Sequence, residues 1–240
     1  MIKEDKKHIY HIAIDEFQVI AEYESTNIDA SLREALQIIP NLHFLFCGSQ
    51  NHLLQALFND TKKPLFRTTE MMELHAIPYP AYMAFIQQQF AKNDKMIDEK
   101  YAHEILEWTK NHTHYVQYFC HMLFENSGGK VENYHMDLTK LNIYNEHENV
   151  YYQFKRLVTR PQWKVLCAIA HENIMRQPMS SKINEKYRLG AASTTGRSLE
   201  TLLDKEMLYS KINTKGEMEY HVYDVFLMRW IQHKGFQLFN

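Results

Sequence analysis

Glycine is scarce in this chain, with 7 residues among 240, where an average soluble sequence of this length carries roughly 17. They stand at 48, 128, 129, 190, 196, 216 and 235, so the first 47 residues have none. A phosphate loop of the form GxxxxGK[ST] needs two glycines five apart and a lysine after the second. Only Gly129 precedes a lysine, Lys130, and there Phe124 occupies the first glycine position and Val131 the hydroxyl position. No GxGxxG fits either, so nothing in these 240 residues cradles a nucleotide phosphate on a glycine loop. Long apolar runs are also lacking: none approaches 18 residues, and the first residues, Met-Ile-Lys-Glu-Asp-Lys-Lys, have no signal-peptide character. The three cysteines, Cys47, Cys120 and Cys167, are far apart and sit in apolar stretches. That pattern predicts buried thiols in a reducing, cytoplasmic setting with no membrane partner.

What is present is a chain 45% hydrophobic, able to bury real cores. Its net charge of −2 is unevenly spread. Residues 1–154 carry 13 Lys/Arg against 21 Asp/Glu, and residues 155–240 carry 14 against 8. The asymmetry suggests two units with different partners, the basic one meeting nucleic acid or the acidic unit.

Hydrophobic patterning divides the chain further. Residues 8–14 read as a buried strand ending at Asp15-Glu16; 30–39 as a helix closed before Pro40; 42–47 as a second buried strand opening onto a helix through residue 58. Strand, helix, strand, helix predicts α/β structure with a parallel sheet. From Pro78 onward the pattern is helical, with helices over 80–92, 98–111 and 113–126, then an irregular stretch and a helix near 146–157. Helices over 161–171, 180–187 and 193–205, then short strands over 207–212 and 217–222 around a turn, follow the order of a winged helix, closed by a helix over 224–233. The expected organisation is an α/β part over 1–77, an all-helical part over 78–154 and a winged helix over 155–240.

Two adjacent carboxylates at the end of an aliphatic strand face the crevice where open parallel sheets bind ligands. One of the two can hold Mg²⁺ through its water shell while the other orients or deprotonates a water; a solvated pair at a loop start has the same sequence. The second strand ends in Gly48-Ser49-Gln50, small and polar at the matching edge. His112, His114 and His121 cluster, but with no Cys or carboxylate at ligand spacing they do not read as a metal site. Thr194, Thr195 and Arg197 on the third winged-helix helix, with Lys211 and Lys215 on the wing, suit phosphate or base contact. Glu200, Asp204, Glu217 and Glu219 offset their charge, so docking of another protein competes with DNA binding.

The segments His11-Ile-Ala-Ile-Asp-Glu-Phe-Gln18, Phe44-Leu-Phe-Cys-Gly-Ser-Gln50 and Lys63-Pro-Leu-Phe-Arg67 resemble those of the archaeal-type ATPases, P-loop NTPases of the AAA+/STAND group. Thr109-Lys-Asn-His-Thr-His-Tyr-Val-Gln117 is similar to that family's lid segment, and Leu157-Val-Thr-Arg-Pro-Gln-Trp-Lys-Val-Leu-Cys-Ala-Ile-Ala170 to the opening of its C-terminal winged helix. The resemblance spans essentially the whole chain. It implies a Walker B strand carrying Asp15 as the Mg²⁺-side acid and Glu16 as general base, and a sensor 1 strand ending at Ser49 or Gln50. It further implies Arg67 as a phosphate-side arginine, and His112 and Thr113 near the nucleotide base. ATP and Mg²⁺ are the implied cofactors. Two departures stand out: Lys110-Asn111 replaces the lid's Gly-Gly and Thr113 its proline, and the Walker A loop with its strand is absent. The expected function is the C-terminal portion of an ATP-dependent conformational switch, unable to bind or hydrolyse ATP without that loop. Its expected partners are the P-loop segment or a second copy at the uncovered sheet edge. The alternatives are a winged-helix DNA-binding regulator or a protein-interaction module.

Overall fold

The computed structural model describes residues 7–22, 27–48, 51–235 and Leu238. The chain divides into two compact units, Met1–Leu74 and His75–Asn240. Among the described residues no helix is long and apolar enough to cross a membrane.

The first unit is α/β. β1 (Tyr10–Ile14) runs parallel to β2 (Leu42–Phe46), in register from Tyr10 opposite Leu42 to Ile14 opposite Phe46. A 3-10 helix (Phe17–Glu22) and α1 (Ile28–Ile38) make the crossover that parallel pairing requires, and α2 (Asn51–Asn59) follows β2. Phe17, Leu57, Phe58 and Leu65 form a small core, joined by Ile14, Leu32, Phe46 and Leu54. Phe17 and Phe46 meet with ring centroids 4.0 Å apart. The strands are not buried as their apolar sequence predicts. Strand side chains alternate between faces, so Ile14 and Phe46 turn to the helices while Ala13 and Leu45 turn away, and Leu45 is 57% exposed. Among the described residues this sheet has two strands and helices packed on one face only. Cys47, expected in a core, is exposed for the same reason, whereas Cys167 is buried and Cys120 half-buried. Burial pushes the thiols of Cys120 and Cys167 up to about 12.

The second unit contains α3 (Tyr79–Ala91), α4 (Glu99–Trp108), α5 (Thr113–Asn126), α6 (Asn133–Arg156), α7 (Arg160–Glu172), α8 (Ser181–Tyr187), α9 (Ala192–Asp204), the hairpin β3 (Leu208–Ile212) and β4 (Met218–Val222), and α10 (Val225–Lys234). Local chemistry sets the ends. Pro80 sits in the first turn of α3. Thr159 and Gln162 form a reciprocal capping box on α7, and the Asp224 carboxylate accepts the Phe226 and Leu227 N–H groups to start α10. The hairpin turns on Gly216 at φ +79°, with Asn213 Oδ1 accepting the N–H groups of Lys215 and Glu217, each at 2.9 Å. α6 begins 13 residues before the helix expected near 146. Its early buried positions are His135, Met136, Thr139 and Ile143, two of them polar, so helical periodicity is present but apolar periodicity is not. The winged helix surrounds α7, on which Trp163 and Val165 through Ala170 are all buried. The expected boundary between residues 154 and 155 falls inside α6, and one apolar core runs from Tyr82 of α3 to Leu238.

α10 joins the helical part to the winged helix. The Phe226 ring lies within 4.6–5.6 Å of the ring centroids of Trp108, Tyr115, Tyr118 and His147, contributed by α4, α5 and α6. Arg229 donates to the carbonyls of Trp108 (2.8 Å) and Glu107 (3.0 Å), satisfying the end of α4. Gln232 reaches the Ala170 carbonyl at the end of α7 (2.6 Å), and Lys234 pairs with Glu148 of α6. Around the Asp224 cap, burial and the nearby carboxylate raise the Tyr115 and Tyr151 hydroxyl pKa values far above the ordinary phenol value.

Lys110 and Asn111, which replace the lid's two glycines, both adopt left-handed backbone, at φ 54° and 56°. Asn111 Nδ2 donates to the Ile77 carbonyl (2.8 Å) and Lys110 Nζ to the Asn173 carbonyl (3.2 Å). Burial, with Arg229 and Lys211 nearby, lowers the Lys110 ammonium to about 8. The left-handed region costs a non-glycine residue about 1 kcal/mol, and Lys110 additionally holds a charge against desolvation. Two outcomes are expected in calorimetry. Phe226→Ala lowers stability by about 3–5 kcal/mol, the range for emptying a buried phenylalanine site. Lys110→Gly leaves the melting temperature unchanged or raises it, by up to about 1 kcal/mol of stability; a clear drop would show that the Asn173 contact outweighs the backbone strain.

Candidate functional site

The ends of β1 and β2 meet. Cys47 N–H donates to the Ile14 carbonyl (2.9 Å) and Phe17 N–H to the Cys47 carbonyl (2.8 Å), so Asp15 and Glu16 lie beside Cys47-Gly48. Both acids are exposed. Asp15 Oδ1 accepts the Glu16 N–H at 2.9 Å, and Glu16 takes a left-handed φ of 49°. That turn sends the chain back into the 3-10 helix, where Phe17 anchors it in the core. Two carboxylates are thereby held in water at a strand end by a buried aromatic immediately after them.

A residue not singled out from the sequence completes this corner. Gln18 is 4% exposed and donates through Nε2 to the Glu16 carboxylate. Its Oε1 lies against Gly48, where an added Cβ would collide with it. The available signal was a lone amide in the otherwise apolar Phe-Gln-Val-Ile run. Ser49 and Gln50 lie outside the described residues. Arg67 is exposed, at a left-handed φ of 53°. Its N–H donates to the Phe58 carbonyl (3.0 Å), and its guanidinium lies 5.1 Å from the Phe66 ring centroid.

The other sequence-derived residues belong to the second unit. His112 precedes the first turn of α5 and Thr113 opens it, both exposed. His121 pairs with Glu125 at 3.4 Å on the same helix, and no group of three metal-ligating side chains occurs among the described residues. On α9, Thr194 and Arg197 line a shallow polar cavity of about 160 Å³ with Thr159, Gln162, Ser198 and Thr201. Thr195 does not join them. At 2% exposure it faces the core on the Thr195, Ser198, Leu199, Leu202 stripe, because positions three and four apart share a helix face. Lys211 and Lys215 are exposed on the hairpin. Glu219 does not simply offset them: it is buried and engaged by Arg176 at 2.8 Å and by Asn213 at 3.1 Å. Those bonds hold its carboxyl below the usual range, while burial, with Lys211 and Lys110 nearby, lowers the neighbouring His221 to about 4.

Residues 149–233 match a family model described as a probable winged helix domain. No curated protein matches the chain in sequence. Among solved structures, a Walker-type ATPase of Pyrococcus abyssi superposes with a TM-score of 0.64 at 17% identity, over 93% of this chain and 63% of that one. An ORC2 protein of Aeropyrum pernix, solved with ADPNP and ADP, superposes with a TM-score of 0.48 at 11% identity, over 95% of this chain and 66% of that one. This chain thus spans less than two thirds of the length of either protein. The fold of this chain, a two-stranded parallel sheet with its helices, a helical region and a winged helix, is thus similar to that of the Pyrococcus abyssi protein.

Proposed function

We propose that this chain is the portion of an AAA+/STAND-type ATPase that begins at the Walker B strand, acting as part of an ATP-dependent conformational switch. The observation that carries the reading is the Asp15-Glu16 corner at two paired strand ends, with a buried amide bonded to the second acid. The donor set suits the acid side of a Mg²⁺–ATP site. Mg²⁺ takes few protein oxygens and keeps most of its waters, so the exposed Asp15 would hold it through the water shell. Glu16 would orient a water and accept its proton. When bound, Mg²⁺ would neutralise phosphate charge during transfer to water. Ser49 or Gln50 would report the phosphate, and Arg67 would lie on the phosphate side. A backbone nest for the β and γ phosphates has no candidate in the glycine pattern, so this reading has the P-loop and its strand supplied by another segment. Such a strand would pair at an edge of the β1–β2 sheet.

Downstream, α10 locks the helical region to the winged helix through Phe226 and Arg229. A nucleotide-dependent change would therefore move α3 through α10 as one body. The winged helix would be the output, meeting DNA or protein through Arg197, Thr194 and the hairpin lysines.

Calorimetric titration of Mg²⁺–ATP into the chain alone should give no micromolar binding. The same titration after adding or fusing a segment that carries GxxxxGK[ST] should give binding, with hydrolysis lost in Glu16→Gln. Micromolar binding by the chain alone would contradict the claim that the site lies half outside it.

A further inference from the structure

Gln18 is held by two opposed contacts. Nε2 donates to the Glu16 carboxylate. At the other end, Oε1 is buried with no hydrogen-bond donor and lies over Gly48, the one position beside it with no side chain to displace it. Leu54 also lies against Gly48, and the small core of this unit is made of Phe17, Leu57, Phe58 and Leu65. An unpaired buried carbonyl is destabilising by about 1–3 kcal/mol, so a glutamine serving only to fill this space would be inferior to a methionine of similar length. Two features keep it in place. The left-handed turn at Glu16 brings that carboxylate back toward the amide, and the absence of a Cβ on Gly48 leaves room for the amide's other end.

From this we propose that Gln18 is a positioning residue. It fixes the Glu16 carboxylate at the joined ends of β1 and β2. The proposal rests on reading Asp15 and Glu16 as the acid side of a phosphate-transfer site. In that site an oriented carboxylate is a better base than one rotating freely in water, because the geometry is set before the reaction. Gln18 touches neither phosphate nor metal in this role; it acts through Glu16.

The test is side-chain NMR of the full chain at one fixed neutral pH. In the parent, a Gln18 side-chain N–H proton should show a through-space contact to the Glu16 γ protons, and the Glu16 side-chain couplings should report a single rotamer, since the two groups are bonded. Gln18→Met keeps the length and the burial but donates no hydrogen bond, so the Glu16 couplings should fall to rotamer-averaged values. Gly48→Ala should do the same with Gln18 still present, because the new methyl displaces the amide. A Glu16 side chain already rotamer-averaged in the parent would overturn the proposal, and that measurement requires no variant to fold. Unchanged Glu16 couplings in either folded variant would do the same. The nucleotide reading fails separately: a Gln18-dependent Glu16 rotamer in a protein that never binds Mg²⁺–ATP, even with a P-loop segment supplied, would sink the ATPase reading and leave the positioning contact standing.

Discussion

Phe226 lies in the first turn of α10, and its ring meets aromatic side chains of three earlier helices, each 79 residues or more before it in sequence. Each such aromatic pair contributes about 0.5–1.5 kcal/mol beyond the area it buries. The box fixes where α10 lies, and α10 in turn fixes much else. With α10 in place, Arg229 satisfies the last carbonyls of α4 and Gln232 the end of α7. Trp230 packs on Tyr151 and Tyr152 of the long α6. The helical region and the winged helix therefore have no separate cores. A composition-based division at residue 155 follows the change in charge, but burial ignores it.

The first unit is built on the opposite principle. Its core is a handful of phenylalanine and leucine side chains, and its two strands turn one face to helices and the other outward. Two strands alone are a marginal sheet in water. The last residues of the unit expose Met72 at 77% and Leu74 at 86%. Asp15 and Glu16 sit in this thinly supported unit.

Element order was legible in the sequence because helix starts and turns are written in local chemistry: Pro80, the Thr159–Gln162 box, Asp224 and the Asn213–Gly216 turn. The Asp15-Glu16 corner was legible from an aliphatic strand ending in acids. Four things were not. Strand burial failed because an apolar strand sequence does not say whether a second layer exists. The first half of α6 was hidden by His135 and Thr139, polar residues that α6 buries in its core. Gln18 was hidden because its importance lies in a contact with Gly48 across two strands, which no single segment records; Thr195 was misassigned because a threonine reads the same whether it faces solvent or core.

The dependence of the larger unit on α10 is tested most directly by native-state amide hydrogen exchange on the full chain. Structural units that unfold together share one opening free energy. The slowest amides of α4, α5, α6, α7 and α10 should therefore exchange with a common free energy and a common denaturant dependence. Amides of α4 and α5 that open well below those of α7 would show the helical region and the winged helix to be independent bodies, and the α10 junction would then not be what holds them together.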